Sequence, residues 1–171
     1  MEVRKMIVIT GSGAVPRLVV EGAHAAGVPV CDVLAVRGST ERATIKAADH
    51  VHVIGIGEIA AGLRWVAEQG YDGAVFAGQI NPLSLFRSRF DEETKGWLRS
   101  LKVKTAHTVY GKLAFEFEKA GVKVFPASSY MERHLPGEGL LTARAPDERE
   151  SADVEHASRV AQDVGVHDVG Q

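Results

Sequence analysis

The sequence contains a single cysteine, Cys31, and few aromatic residues, which make up 6% of its 171 residues. One cysteine cannot form an intramolecular disulfide, so a disulfide-stabilised secreted scaffold is excluded. Every apolar run is far shorter than the roughly 20 residues that a membrane-spanning helix needs. Neither sign of charge dominates, because 20 basic residues stand against 22 acidic ones. These properties predict a soluble, cytoplasmic protein without a broad basic surface for nucleic acid.

Glycine, in contrast, is frequent, with 18 residues, and apolar residues make up 45% of the chain. Short apolar runs alternate with segments of helical periodicity, and glycines stand at many of the junctions. Strands that are joined through helices pair in parallel, with right-handed crossovers. We therefore predict an α/β fold with a Rossmann-like, doubly wound, mostly parallel sheet of about five strands and helices on both faces. The predicted strands are 6–10, 29–36, 51–54, 73–77 and 122–125.

The sequence also predicts the helices and the domain boundary. The main helices are predicted at 15–26, from 59 to the glycine at 70, at 92–101 and at 105–120, with shorter helical stretches within 37–48 and near 128–134. Residues 1–164 are predicted to form one domain, and 165–171 a hinge-like tail. The last helix and the tail 165–171 are expected to form a docking edge for another domain or a second copy of the chain. One face of the helix carries Val154, Ala157, Ala161 and Val164, and the tail adds Val166 and Val169.

Three glycine turns are predicted at one edge of the sheet. The carboxyl ends of parallel strands meet there, and open α/β sheets bind their ligands at that edge. In the first turn, 10–16 (TGSGAVP), glycines let the backbone approach a phosphate at the start of a helix, although Pro16 replaces the third glycine of the dinucleotide fingerprint. The candidate nucleotide-binding residues in the three turns are Gly11, Ser12, Gly13, Ala14, Gly55, Gly57, Gly78, Gln79 and Asn81.

Other interpretations of these residues stay open. The glycines could only make tight turns, and Gln79 and Asn81 could be solvated loop residues. Arg37, at the end of the second strand, would suit a 2′-phosphate and hence an NADP-dependent oxidoreductase. A non-catalytic interaction module is a further alternative. The segment 83–90 (LSLFRSRF) could lie on a membrane surface or fold onto the core. No residue is assigned as catalytic or as a metal ligand.

The order of several segments resembles a known family. The chain is similar to the N-terminal domain of the LpxI-type UDP-2,3-diacylglucosamine pyrophosphatases of lipid A biosynthesis. The resemblance covers nearly the whole chain, and no single motif within it is very specific. It is carried by MIVITGSGAVPRLVVEGAHAAGVPV, GIGEIAAGLRWVAEQGYDGAVFAG, FEFEKAGVKVFPAS and LPGEGLLTARAPDERESAD, and the closing RVAQDVGVHDVGQ resembles the hinge that leads to the family's second domain.

The resemblance implies a two-domain, Mg²⁺-dependent hydrolase that splits UDP-2,3-diacylglucosamine into UMP and lipid X at the cytoplasmic face of the membrane. In the family, key catalytic acids come from the C-terminal domain. This chain also departs from the family at 79–82, where basic residues are usual, and at Ala106 and His107, in a region where paired acids are common. We therefore expect the chain by itself to bind a UDP-sugar or related nucleotide without hydrolysing it.

Overall fold

The computed structural model of the chain describes residues 3–80, 88–102 and 105–166. Asn81, most of the 83–90 segment and the tail residues 167–171 lie outside the described part, as do the side chains at 106 and 107. The strands are β1 (Lys5–Thr10), β2 (Val30–Val36), β3 (Val51–Ile54), β4 (Gly73–Ala77) and β5 (Lys123–Phe125). The predicted bounds of the third and fourth strands are confirmed, and the other three differ by one residue at their start.

The helices follow the predicted order. They are α1 (Val15–Ala25), α2 (Arg42–Ala47), α3 (Ile59–Glu68), α4 (Glu92–Arg99), α5 (Ala106–Lys119) and α6 (Glu148–Gly165). The short helix predicted near 128–134 is two 3₁₀ helices instead, Ala127–Tyr130 and Glu132–His134. The start of α5 is fixed by a capping box, in which Thr105 and Thr108 each bond the other's backbone N–H.

All strand pairs are parallel, and the order across the sheet is β3-β2-β1-β4-β5. The chain starts in the middle of the sheet, builds outward through β2 and β3, and then returns to the other side of β1 with β4. The point where this direction reverses lies between the carboxyl ends of β1 and β4, which is the edge where open α/β sheets form a ligand crevice. The predicted parallel, doubly wound fold is confirmed.

The core consists of two apolar layers, one on each face of the sheet. On one face, Val19, Val20 and Ala23 of α1 pack against alternate residues of the central strands. On the other face, Val66 of α3 and Phe117 of α5 pack against the intervening residues of those strands. Because successive strand side chains point to opposite faces, continuous apolar strands such as β1 serve both layers at once.

The chain divides into two compact units, Met1–Leu135 and Pro136–Gln171. In the second unit, Asp147 caps α6 by accepting a hydrogen bond from the N–H of Glu150, and Arg144 pairs with the Glu150 carboxylate. No residue described in α6 is buried, and Val154 is 61% exposed. Docking of this helix, and the domain boundary after residue 164, stay predictions. No helix among the described residues is long and apolar enough to span a membrane.

Candidate functional site

A cavity of about 980 Å³ lies at the carboxyl edge of the sheet, within the first unit. Its floor is formed by the ends of the strands, and α3 and α5 contribute its walls. The lining is predominantly apolar, and its larger side chains include Ile9, Leu34, Ile54, Ile59, Leu63, Phe76, Leu113 and Phe117. Small-molecule sites usually have volumes of about 300–1,000 Å³ and mostly apolar walls. The cavity is therefore the candidate site of the first unit.

The first and third glycine turns are held together by backbone hydrogen bonds. The N–H of Ser12 donates to the carbonyl of Gln79 at 2.8 Å, and the N–H of Gln79 donates to the carbonyl of Ser12 at 3.0 Å. A Cβ at Gly11 would lie 2.3 Å from the Gln79 carbonyl oxygen, and one at Gly78 would lie 2.7 Å from that of Ser12. These two glycines are therefore required where the turns touch, and both line the cavity.

Gly13 has a different environment. Its φ angle is +97°, and a Cβ there would meet nothing within 4 Å. Its N–H donates to Oε1 of Glu41 at 3.0 Å. The contact with Glu41 was not predicted from the sequence, because 28 residues separate Glu41 from Gly13 and no local spacing indicates such a contact. The position of Glu41, an acidic residue soon after the second strand, was the one feature of the sequence that could have identified it.

The second glycine turn contacts a neighbouring segment of the chain. The N–H of Gly55 donates to the carboxylate of Glu58, and a Cβ at Gly57 would lie 2.1 Å from the carbonyl oxygen of Arg89. Neither glycine lines the cavity, whereas Ile56 between them does. Of the described candidates, the structure thus places only Gly11 and Gly78 in the cavity wall. The candidates outside the wall are Ser12, Gly13, Ala14, Gly55, Gly57 and Gln79.

The opposite, amino edge of the sheet holds the buried polar groups Asp32 and Tyr71. The carboxylate of Asp32 accepts a hydrogen bond from the Tyr71 hydroxyl at 2.8 Å and lies 2.9 Å from Nδ1 of His50. Burial, and then the carboxylates of Asp49 and Asp32, raise the pKa of the Cys31 thiol to about 12. Because the thiolate is the nucleophile, this cysteine is unreactive at neutral pH. These groups stabilise the fold at an edge remote from the cavity.

The decisive comparison is with protein families. The model of the LpxI N-terminal domain matches residues 5–134. The chain belongs to the LpxI family. The matched region contains the whole parallel sheet and every residue of the cavity wall. The resemblance inferred from the sequence is thereby confirmed, and it places the chain in a family of lipid A synthesis.

Two solved structures are distantly similar to this LpxI-family chain. One is the biotin carboxylase domain of a thermophilic 2-oxoglutarate carboxylase bound to bicarbonate, at 16% identity and a TM-score of 0.44, covering 72% of this chain and 23% of that one. Another is the biotin carboxylase subunit of pyruvate carboxylase, at 14% identity and a TM-score of 0.43, covering 72% and 22%. The chain thus spans less than a quarter of these structures. No curated protein matches closely enough to count as a relative.

Proposed function

We propose that this LpxI-family chain binds UDP-2,3-diacylglucosamine at the carboxyl edge of its sheet. The uridine diphosphate would lie along the first and third glycine turns, and an acyl chain would enter the cavity beside them. The observation that carries the proposal is the combination of a large apolar cavity with backbone turns at its rim. A ligand that is apolar at one end and carries a nucleotide at the other suits both surfaces.

The apolar wall supports a lipid in preference to a nucleotide alone. The described residues that line the cavity include Thr10, Thr105 and Tyr110 but no charged side chain. A base or sugar buried there would find few hydrogen-bond partners, and each polar group left unpaired costs about 1–3 kcal/mol. An acyl chain has no such cost, and it gains about 0.8 kcal/mol for each CH₂ group removed from water.

Hydrolysis of the bound lipid nucleotide to UMP and lipid X would need groups from outside this cavity. Within the described ranges, no cluster of three or more His, Cys, Asp or Glu side chains could hold a metal ion. Mg²⁺ is usually held by one or two carboxylates together with substrate phosphates, and the described residues that line the cavity include no Asp or Glu. The cavity wall therefore does not fit the Mg²⁺ that the resemblance implies. We therefore assign binding of the substrate to this chain, and we assign the acids and the Mg²⁺ to a partner, the C-terminal domain of the family.

Two helical glycines offer a matched test of the cavity. Gly111 in α5 lines the cavity, Gly96 in α4 does not, and a Cβ at either would meet nothing within 4 Å. Gly111→Phe should place a ring at the cavity and weaken binding of UDP-2,3-diacylglucosamine at least tenfold, as measured by calorimetry. Gly96→Phe should leave the affinity unchanged. Equal affinities for both variants and the wild type would remove the cavity from the proposed site.

A further inference from the structure

Glu41 lies beside the first glycine turn with its carboxylate already oriented. Oε1 accepts the Gly13 N–H at 3.0 Å. Glu41 is the residue that precedes α2, yet its side chain makes no capping hydrogen bond to that helix. The residue is exposed, so its remaining acceptor sites face solvent. A charged acceptor is thereby fixed at the rim of the proposed nucleotide site and is open to a ligand.

The hydrogen bonds of Thr40 fix the backbone position of the neighbouring residue Glu41. The Thr40 hydroxyl accepts the Val36 N–H at 3.0 Å and donates to the Thr10 carbonyl at 3.0 Å. It also lies 2.8 Å from the hydroxyl of Thr10, a residue that is only 1% exposed. The loop after β2 is thus joined to the buried end of β1. Glu41 follows this anchor directly, so its backbone has a defined position beside the turn.

The position and the charge of Glu41 favour a ligand that presents hydroxyl groups to its carboxylate. In doubly wound sheets a bound nucleotide places its phosphates over the β1–α1 turn and its ribose toward the end of β2, where an acidic residue accepts the hydroxyl hydrogen bonds. A carboxylate only accepts hydrogen bonds, so it suits O–H donors. The same charge repels a phosphate placed on the ribose, which Arg37 alone would have favoured.

We propose that Glu41 recognises the ribose hydroxyl groups of the nucleotide bound at the first glycine turn. The inference rests on the proposed function, because it takes the uridine nucleotide to lie along that turn. It adds a specificity-determining residue: the site distinguishes ribonucleotides from deoxyribonucleotides and from 2′-phosphorylated ones. Gly13 contributes by holding the carboxylate through its N–H.

The test compares UDP with 2′-deoxy-UDP by calorimetry on the wild type, Glu41→Ala and Glu68→Ala. Glu68 is an exposed glutamate at the end of α3, so its replacement removes the same charge elsewhere. A hydrogen bond to a charged group contributes roughly a tenfold or larger factor in affinity. The wild type and Glu68→Ala should therefore prefer UDP by about that factor. Glu41→Ala should lose the preference, through weaker binding of UDP alone.

Three results would overturn the inference. Equal affinity of the wild type for the two nucleotides would show that the ribose 2′-hydroxyl is not read. Tighter binding of both nucleotides to Glu41→Ala would show that the carboxylate competes with the phosphates instead. A wild type that binds neither nucleotide would overturn the nucleotide part of the proposed function together with this inference. The Gly111→Phe titration reports on the cavity independently of all three.

Discussion

At the scale of single residues, Gly22 shows how closely segments of this chain approach one another. It lies inside α1, where a Cβ would come within 1.7 Å of the carbonyl oxygen of Tyr130 in the first 3₁₀ helix. Glycine ordinarily weakens a helix interior relative to alanine. At this position the missing side chain instead lets α1 and the 3₁₀ helix pack together, so the residue stabilises the first unit despite its poor helix propensity.

Alanine at Gly22 should therefore destabilise the protein. We expect Gly22→Ala to lower the free energy of unfolding by about 1–3 kcal/mol, since the backbone around Tyr130 must shift. Gly96→Ala is the matched control, because a Cβ there meets nothing within 4 Å; it should raise the free energy of unfolding by about 0.5–1 kcal/mol. Urea unfolding measures both. A stabilising Gly22→Ala would contradict the close approach.

The candidate site was only partly predictable at this scale. Glycine spacing identified the turns of Gly11 and Gly78, because few other residues permit such tight backbone geometry. It could not distinguish a glycine that approaches a ligand from one that approaches another turn, as Gly57 does with Arg89. Glu41 was missed because its contact with Gly13 exists only once β1 and β2 are paired. Whether any of the predicted residues binds a nucleotide stays a prediction.

At the scale of elements, Asp49 connects α1, β2 and the loop before β3 at the amino edge of the sheet. Its Oδ2 accepts the N–H of Cys31 in β2 at 2.7 Å and lies 3.0 Å from Nε2 of His24 in α1. The backbone hydrogen bond from Cys31, and then that from His24, lower the pKa of Asp49 from its ordinary value of 3.8. The carboxylate therefore stabilises the packing of α1, β2 and the loop before β3 when it is ionised.

This lowered pKa gives stability a defined pH dependence. Because the pKa of Asp49 is lower in the folded chain than in the unfolded one, its contribution is complete above pH 3.8 and is lost as the pH falls through the folded value. Asp49→Asn should lower the free energy of unfolding at neutral pH by about 1 kcal/mol, a modest value for a partly exposed carboxylate.

The measurement is urea unfolding of the wild type and Asp49→Asn at neutral pH and well below pH 3.8. The difference between the two proteins should shrink at the lower pH, where the wild-type carboxyl is itself protonated. Asp153→Asn, which changes an exposed carboxylate of α6, should show little difference at either pH. A constant difference between wild type and Asp49→Asn would contradict the assigned role of the charge.

The elements themselves were largely predictable from the sequence. β4 is a buried strand with a continuous apolar run between two glycines, and it was located to the residue. β3 was also located to the residue, although it is an edge strand with one histidine and only one buried residue. The order of the strands was beyond local patterns, because the return from β3 to the far side of β1 depends on how the crossovers pack. The two 3₁₀ helices after β5 were predicted as one helix. The segment after Pro126 is short and mostly polar, so its hydrophobic periodicity cannot distinguish one α-helix from two 3₁₀ helices.

At the scale of the whole molecule, the proposed function divides the family reaction between the first unit of this chain and a partner domain. The first unit has the LpxI N-terminal domain, with its parallel sheet and apolar cavity. The second unit has a capped helix in which no described residue is buried. The central claim is that the first unit recognises the lipid and the nucleotide of one substrate, while the hydrolytic acids come from a partner domain.

The most direct measurement of that claim is a calorimetric titration of the wild-type chain with short-chain, water-soluble analogues of UDP-2,3-diacylglucosamine that differ in acyl length. Each added CH₂ group that enters the cavity should contribute about 0.8 kcal/mol, roughly a fourfold gain in affinity, until the cavity is filled. The heat capacity change of binding should become more negative in parallel. An affinity equal to that of the unacylated UDP-sugar at every acyl length would contradict the account.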